Sequence, residues 1–168
     1  MTEAPGLEIK PVNHRLPVEL PVRRLDARAT LPAYHSELAA GLDIAACLGR
    51  DPIAGDAFVI HPHEIFKVPT GLAMAIPAGF EGQVRPRSGL SINHGITVPN
   101  APGTIDADYR GELFIALINL GVEPYEIRHG MRIAQLVIAP VAHARVVETD
   151  TLDETARGER GFGSTGHH

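Results

Sequence analysis

From residue 42 onward the chain never runs far without a break. Apolar segments at 42–47, 57–60, 65–68, 72–76, 82–85, 95–98, 113–118, 125–127, 132–138 and 144–148 are each followed by Gly, Pro or Asp punctuation. Short apolar runs spaced about 8–12 residues apart are the pattern of a β-sandwich or barrel. No helix-length segment alternates with them, which argues against a doubly wound sheet. The 17 Gly and 14 Pro supply the turns that such a fold needs. Residues 18–25 predict one more strand, confined to a sheet edge by Pro21. Residues 31–40 come nearest to a helical pattern, but Pro32 and Gly41 keep it short or irregular.

A chain of 168 residues fits one domain. Residues 1–17, with Pro5, Pro11 and Pro17, predict a poorly ordered N-terminal segment. Residues 18–149 form the β-domain, and residues 150–168 a Gly-punctuated flexible tail that orders, if at all, on a ligand. Aromatics are only 5 % of the chain, with no Trp, and a core so composed gains burial by oligomerising. A net charge of −5 gives no general attraction to nucleic acid or to a membrane surface. A polyanionic ligand would have to be held by local Arg residues, backbone amides or a metal. The single cysteine, Cys47, excludes an intrachain disulfide and fits a reducing cytoplasm. No secretory signal stands at the N-terminus, and no apolar run approaches the ~18 residues of a membrane span. The expectation is a soluble cytoplasmic protein.

Five segments carry residues suited to chemistry. In AGLDIAA (40–46), Asp43 is either a turn residue beside Gly41 or a carboxylate held at a site. In RPRSGLS (85–91), Pro86 keeps Arg85 extended, and Ser88-Gly89 opens a short helix closed by Asn93-His94-Gly95. Free backbone N–H groups there, with Arg87, suit a phosphate, although an ordinary capped turn has the same pattern. The stretch GTIDADYRGE (103–112) reads as a turn between two strands. It crowds Asp106, Asp108, Tyr109, Arg110 and Glu112 together, as a solvated hairpin or a site would. In GMRIAQLV (130–137), Gln135 interrupts an apolar strand and needs partners if buried, while Arg132 suits an ion pair or a ligand equally. In RGERGFGSTG (157–166), Phe162 is placed to stack on a base, with Arg157, Ser164 and Thr165 at phosphate oxygens; a disordered terminus is the other reading. His61 and His63 read as surface strand residues, because no Cys or carboxylate stands at ligand spacing.

In this order the five segments resemble the five sequence motifs of the trimeric dUTPases, over a span from about residue 18 to residue 166. The resemblance implies an all-β, jelly-roll-like distorted β-barrel with one short helix, assembled as a homotrimer. It implies cleavage of dUTP to dUMP and pyrophosphate with Mg²⁺, which limits uracil incorporation into DNA and supplies dUMP for dTMP synthesis. Each active site would be shared between subunits and closed by the tail. Asp106 would activate the attacking water, and Asp43 would act through metal-bound water, with no direct protein ligand to Mg²⁺. Tyr109 would lie beneath the deoxyribose. Asn100 and the backbone of a 95–105 hairpin, including Thr104 and Ile105, would form the uracil pocket. Arg87, Ser88, Gly89 and Gln135 would meet phosphate. Phe162 would stack over uracil, with Gly163 beside it and Arg157, Ser164 and Thr165 at the γ-phosphate. Arg160 departs from the family, which most often has Gly there. His167 and His168 are left out of the site. Two alternatives share the fold. A dCTP deaminase, including a bifunctional one, would carry Glu where this chain has Ala116, and a regulatory protein would sense the nucleotide without turning it over.

Overall fold

A computed structural model describes residues 18–159. The expectations for residues 1–17 and for Arg160 onward, including Phe162, Gly163, Ser164 and Thr165, fall outside the described residues. Ten strands and one helix follow in order: β1 (Val22–Arg24), β2 (Leu42–Ala45), β3 (Ala57–Ile60), β4 (Ile65–Met74), β5 (Phe80–Pro86), α1 (Ser88–His94), β6 (Ile96–Thr97), β7 (Gly103–Ile105), β8 (Glu112–Asn119), β9 (Tyr125–Arg128) and β10 (Arg132–Pro140). They build a sheet in the order β1-β4-β8-β6, a second in the order β2-β10-β5-β7, and a ribbon of β3 with β9. Every pairing is antiparallel. One apolar cluster draws on all three, with Val68, Leu113, Ile115 and Leu117 from the first sheet, Ile44, Val84, Ile133 and Leu136 from the second, and Ile60 and Ile127 from the ribbon. The all-β architecture is the one the punctuated sequence implies, and its jelly-roll-like form is the one the resemblance implies.

β8 shows why the sequence folds this way. Its residues alternate strictly between half-buried and buried from Glu112 to Asn119, the period-2 signature of a strand with one face on a core. Asn119 ends it as a buried polar residue whose amide is fully used: Nδ2 donates to the carbonyls of Ile60 (2.9 Å) and Glu123 (2.8 Å), and Oδ1 accepts from Gly121 N–H (2.8 Å). α1 closes where Gly95 takes φ +71°, and a side chain there would strike the backbone of Gly121 at 2.3 Å.

Five expectations are corrected. His61 and His63 stand not in a strand but in the turn between β3 and β4, where His63 takes φ +67°. Segments 65–68 and 72–76 are one strand, β4, because Gly71 at φ +68° marks a register shift between Pro69 and Ala73 without ending the pairing to β8. The segment 103–112 is not all turn: residues 103–105 are β7, held by β5, and Glu112 already begins β8. The supposed 95–105 hairpin is a crossover, with β6 on β8 and β7 on β5, so its two arms lie in different sheets. Residues 144–148 form no strand within one chain, and Val146 and Val147 stand 92 % and 63 % exposed.

Candidate active site

One group of site residues is built on the second sheet. Register places Asp43 of β2 directly opposite Gln135 of β10. The Asp43 side chain is 5 % exposed, and four groups converge on it. Its Oδ2 accepts from Arg132 Nη1 at 2.9 Å, and its Oδ1 from Gln135 Nε2 at 3.1 Å. Arg87 Nε lies 3.5 Å from Oδ1, and His35 Nε2 3.3 Å from Oδ2. Arg87 also donates through Nη1 to the carbonyl of Arg132 at 3.0 Å. A carboxylate this buried is stable because it is paired and hydrogen-bonded on both oxygens. It orients Arg87 and Gln135 at the mouth of α1, where Ser88 and Gly89 are exposed. Gly41 permits the approach of β2 to β10, since a Cβ there would sit 3.1 Å from Gln135 Cβ. Of the two readings left open for Asp43, the turn residue is excluded. Arg132 is one of its ion-pair partners.

The second group surrounds a cleft of about 220 Å³ lined by Lys67, Thr104, Ile105, Asp106, Tyr109, Glu112, Leu113 and Phe114. The turn from β7 to β8 shapes it. Tyr109 N–H donates to the Asp106 carbonyl at 3.1 Å, and Arg110 Nη1 donates to the carbonyls of Ala107 (2.6 Å) and Tyr109 (2.8 Å). The Tyr109 hydroxyl donates to the Glu112 carbonyl at 2.9 Å, so the ring face is what this side chain presents. Gly111 is required beneath it: a Cβ would fall 2.5 Å from that hydroxyl oxygen. The Glu112 carboxylate is tied away from the turn, bidentate to Arg50 at 3.0 and 2.8 Å and accepting Gly71 N–H at 2.8 Å. Asp106, by contrast, is exposed, and its carboxylate has no side-chain partner among the described residues. A carboxylate at a cleft wall with its lone pairs uncommitted can take a proton. Asn100 is also exposed, beside Gly103 at the start of β7.

The structure thus brings together Asp43, Arg87 and Gln135, and separately Thr104, Ile105, Asp106 and Tyr109. No residue belongs to both groups, and Ser88 does not line the cleft. Arg157 is exposed and lies in neither group. Sequence reasoning missed Lys67, which lines the cleft 4.1 Å from the centroid of the Phe114 ring, and His35 beside Asp43. Neither has a spacing signal; only the folded register reveals them.

The profile of the dUTPase family matches residues 27–166. A deoxyuridine 5'-triphosphate nucleotidohydrolase from Beijerinckia indica subsp. indica is 58 % identical over 137 residues, covering 82 % of this chain and 83 % of that protein. Among solved structures, a dUTPase variant of Staphylococcus bacteriophage 80alpha with dUpNHpp superposes with a TM-score of 0.77 at 28 % identity, covering 88 % of this chain and 98 % of that one. A dUTPase variant from phage phi11 of S. aureus, described with a structural Mg(II) ion, superposes at 0.68 with 26 % identity over 79 % and 97 % of the two chains. The chain belongs to the dUTPase family.

Proposed function

We infer that the protein is a dUTP diphosphatase, hydrolysing dUTP to dUMP and pyrophosphate. The observation that carries the residue-level reading is the turn between β7 and β8, where the Asp106 carboxylate, without a side-chain partner among the described residues, and the ring of Tyr109 line one cleft. Water is a poor nucleophile at neutral pH, and a positioned general base contributes about 10²–10⁴ in rate. Asp106 takes the proton of the water that attacks the α-phosphorus; the bond from that phosphorus to the bridging oxygen breaks, and pyrophosphate leaves. The deoxyribose packs on the Tyr109 face. A 2'-hydroxyl there would be buried without a partner, at about 1–3 kcal/mol. Thr104 and Ile105 belong to an edge strand whose outer backbone groups are available to the uracil edge, with Asn100 beside them. Arg87, Ser88, Gly89 and Gln135 hold the phosphates.

We propose that the two groups meet between subunits of a homotrimer, the Asp43 group of one facing the cleft of the next. Support comes from apolar side chains on the irregular 141–159 segment, Val146, Val147 and Leu152, that a neighbour can cover. Arg157, Phe162, Gly163, Ser164 and Thr165 close the site as a lid in this reading. The described residues contain no group of three or more His, Cys, Asp or Glu that could hold a metal. Mg²⁺ suits this site as a companion of the triphosphate, bound by phosphate oxygens and water, with Asp43 reached through water. When bound, it neutralises phosphate charge and shapes the triphosphate for in-line displacement. The cytoplasm is the proposed location, in keeping with the single buried thiol.

Pyrophosphate release from dUTP, UTP, dTTP and dCTP, with and without Mg²⁺, tests this reading. Turnover of dUTP far above the other three, dependent on Mg²⁺, is the expected result. Deamination of dCTP, or tight dUTP binding without turnover, would overturn it.

A further inference from the structure

Among the described residues, the outward face of the second sheet carries a cation, Arg85, that neither site group accounts for. Arg85 of β5 stands directly opposite Gln135 of β10, which stands opposite Asp43 of β2. Directly opposed residues of antiparallel strands project from the same face, so Asp43, Gln135 and Arg85 form one row across three strands. In the next row, Gln83 of β5 is opposite Thr104 of β7, a residue of the cleft wall. Arg85 Nη2 donates to Gln83 Oε1 at 2.6 Å, and Gln83 Nε2 donates to Glu81 Oε1 at 2.9 Å. Arg85 is therefore aimed along β5, on the strip of sheet between the Asp43 group and Thr104.

Its charge is not offset in the way that its neighbours' charges are. Arg87 and Arg132 share the Asp43 carboxylate, whereas Arg85 is exposed and donates to a neutral amide. None of the ion pairs among the described residues includes it. In a chain of net charge −5, this is a local positive site on the face that carries the proposed phosphate contacts. A guanidinium matches phosphate oxygens through its planar fork of donors and is less strongly hydrated than an ammonium. We propose that Arg85, steadied by its hydrogen bond to Gln83, is a further contact for the polyphosphate of the nucleotide; this rests on the dUTP reading above.

The test titrates the wild type, Arg85→Ala and Arg85→Lys with the non-hydrolysable triphosphate dUpNHpp and with dUMP, beside dUTP kinetics at several salt concentrations. Loss of a charged hydrogen bond weakens dUpNHpp binding by about tenfold in Arg85→Ala, while dUMP, which lacks the outer phosphates, binds as before. KM rises more than kcat falls, kcat/KM becomes less sensitive to salt, and Arg85→Lys recovers part of the loss. The melting temperature is unchanged, because the side chain is exposed. Unchanged dUpNHpp affinity in Arg85→Ala would overturn the proposal, as would an equal loss for dUpNHpp and dUMP, or a fall in melting temperature that accounts for the loss. Wild-type protein that fails to turn over dUTP would instead overturn the functional reading, and this inference with it.

Discussion

Replacing Asp43 by Ala removes the carboxylate on which four side chains converge. The Asp43 side chain is 5 % exposed and makes hydrogen bonds to Arg132 at 2.9 Å and Gln135 at 3.1 Å. Hydrogen bonds to a charged group contribute about 1.5–3 kcal/mol each. Arg132 is 45 % exposed, so solvent screens much of its share, and the two together come to about 2–3 kcal/mol. For a chain of this size that lowers the melting temperature by about 5–10 °C. Arg87 and Arg132 would also be left adjacent without an anion between them, and Gln135 would lose its orienting acceptor. Activity at 25 °C, where the variant remains folded, should fall by about 10²-fold in kcat/KM, the scale expected when phosphate contacts shift by about 1 Å. Asp43→Asn keeps the shape and loses the charge, so it should fall between. Calorimetry and pyrophosphate release read both effects. An Asp43→Ala variant with wild-type melting and wild-type kcat/KM would refute the view that this carboxylate organises the phosphate side of the site.

Asp106→Asn should keep dUpNHpp affinity and lose about 10²–10⁴ in kcat, and near-normal turnover would remove Asp106 from the chemistry. Gly111→Ala should displace the Tyr109 ring, whose hydroxyl lies 2.5 Å from the added Cβ; a rise in KM for dUTP with a smaller dUTP-over-UTP preference checks this. Burial pushes the Cys47 thiol above its ordinary pKa, so native protein should resist alkylation at pH 8 and react only when unfolded. With the folded pKa raised, the corresponding stability is fully present below the unfolded thiol value and is lost as pH rises from there through the folded one, which denaturant titrations on the alkaline side measure. Asp26 is shifted the other way, lowered chiefly by the Arg28 backbone N–H. Its contribution is present above the unfolded carboxylate value and lost as pH falls through the folded one, and Asp26→Asn should flatten that acid limb.

The parts of the fold that a local pattern can express were legible in the residues. Ser88, Gly95 and the apolar residues between them mark α1 by chemistry within one turn at each end, and β8 announces itself through its alternation. β7 was not legible, since three residues between Pro102 and Asp106 become a strand only because β5 pairs with them. β4 read as two pieces because Pro69 and Gly71 look like punctuation, whereas Gly71 in fact allows close packing on Ala29 and Cys47. The site divides the same way. Asp106 and Tyr109 lie in one short turn, so their association could be read directly. Asp43 stayed ambiguous because its partners Arg132 and Gln135 are 89 and 92 residues away, and only the register of β2 on β10 joins them.

A complementation experiment bears most directly on the shared site. Asp106→Asn chains and Arg87→Ala chains, each nearly inactive alone, are refolded together so that trimers mix. If the cleft of one subunit works with the Asp43 group of another, about one quarter of the sites in an equal mixture contain both intact halves, and turnover should recover to about that fraction of wild type. Mixed trimers that stay at the residual rate of the two parents would show that each chain must supply both halves itself, and would contradict the account.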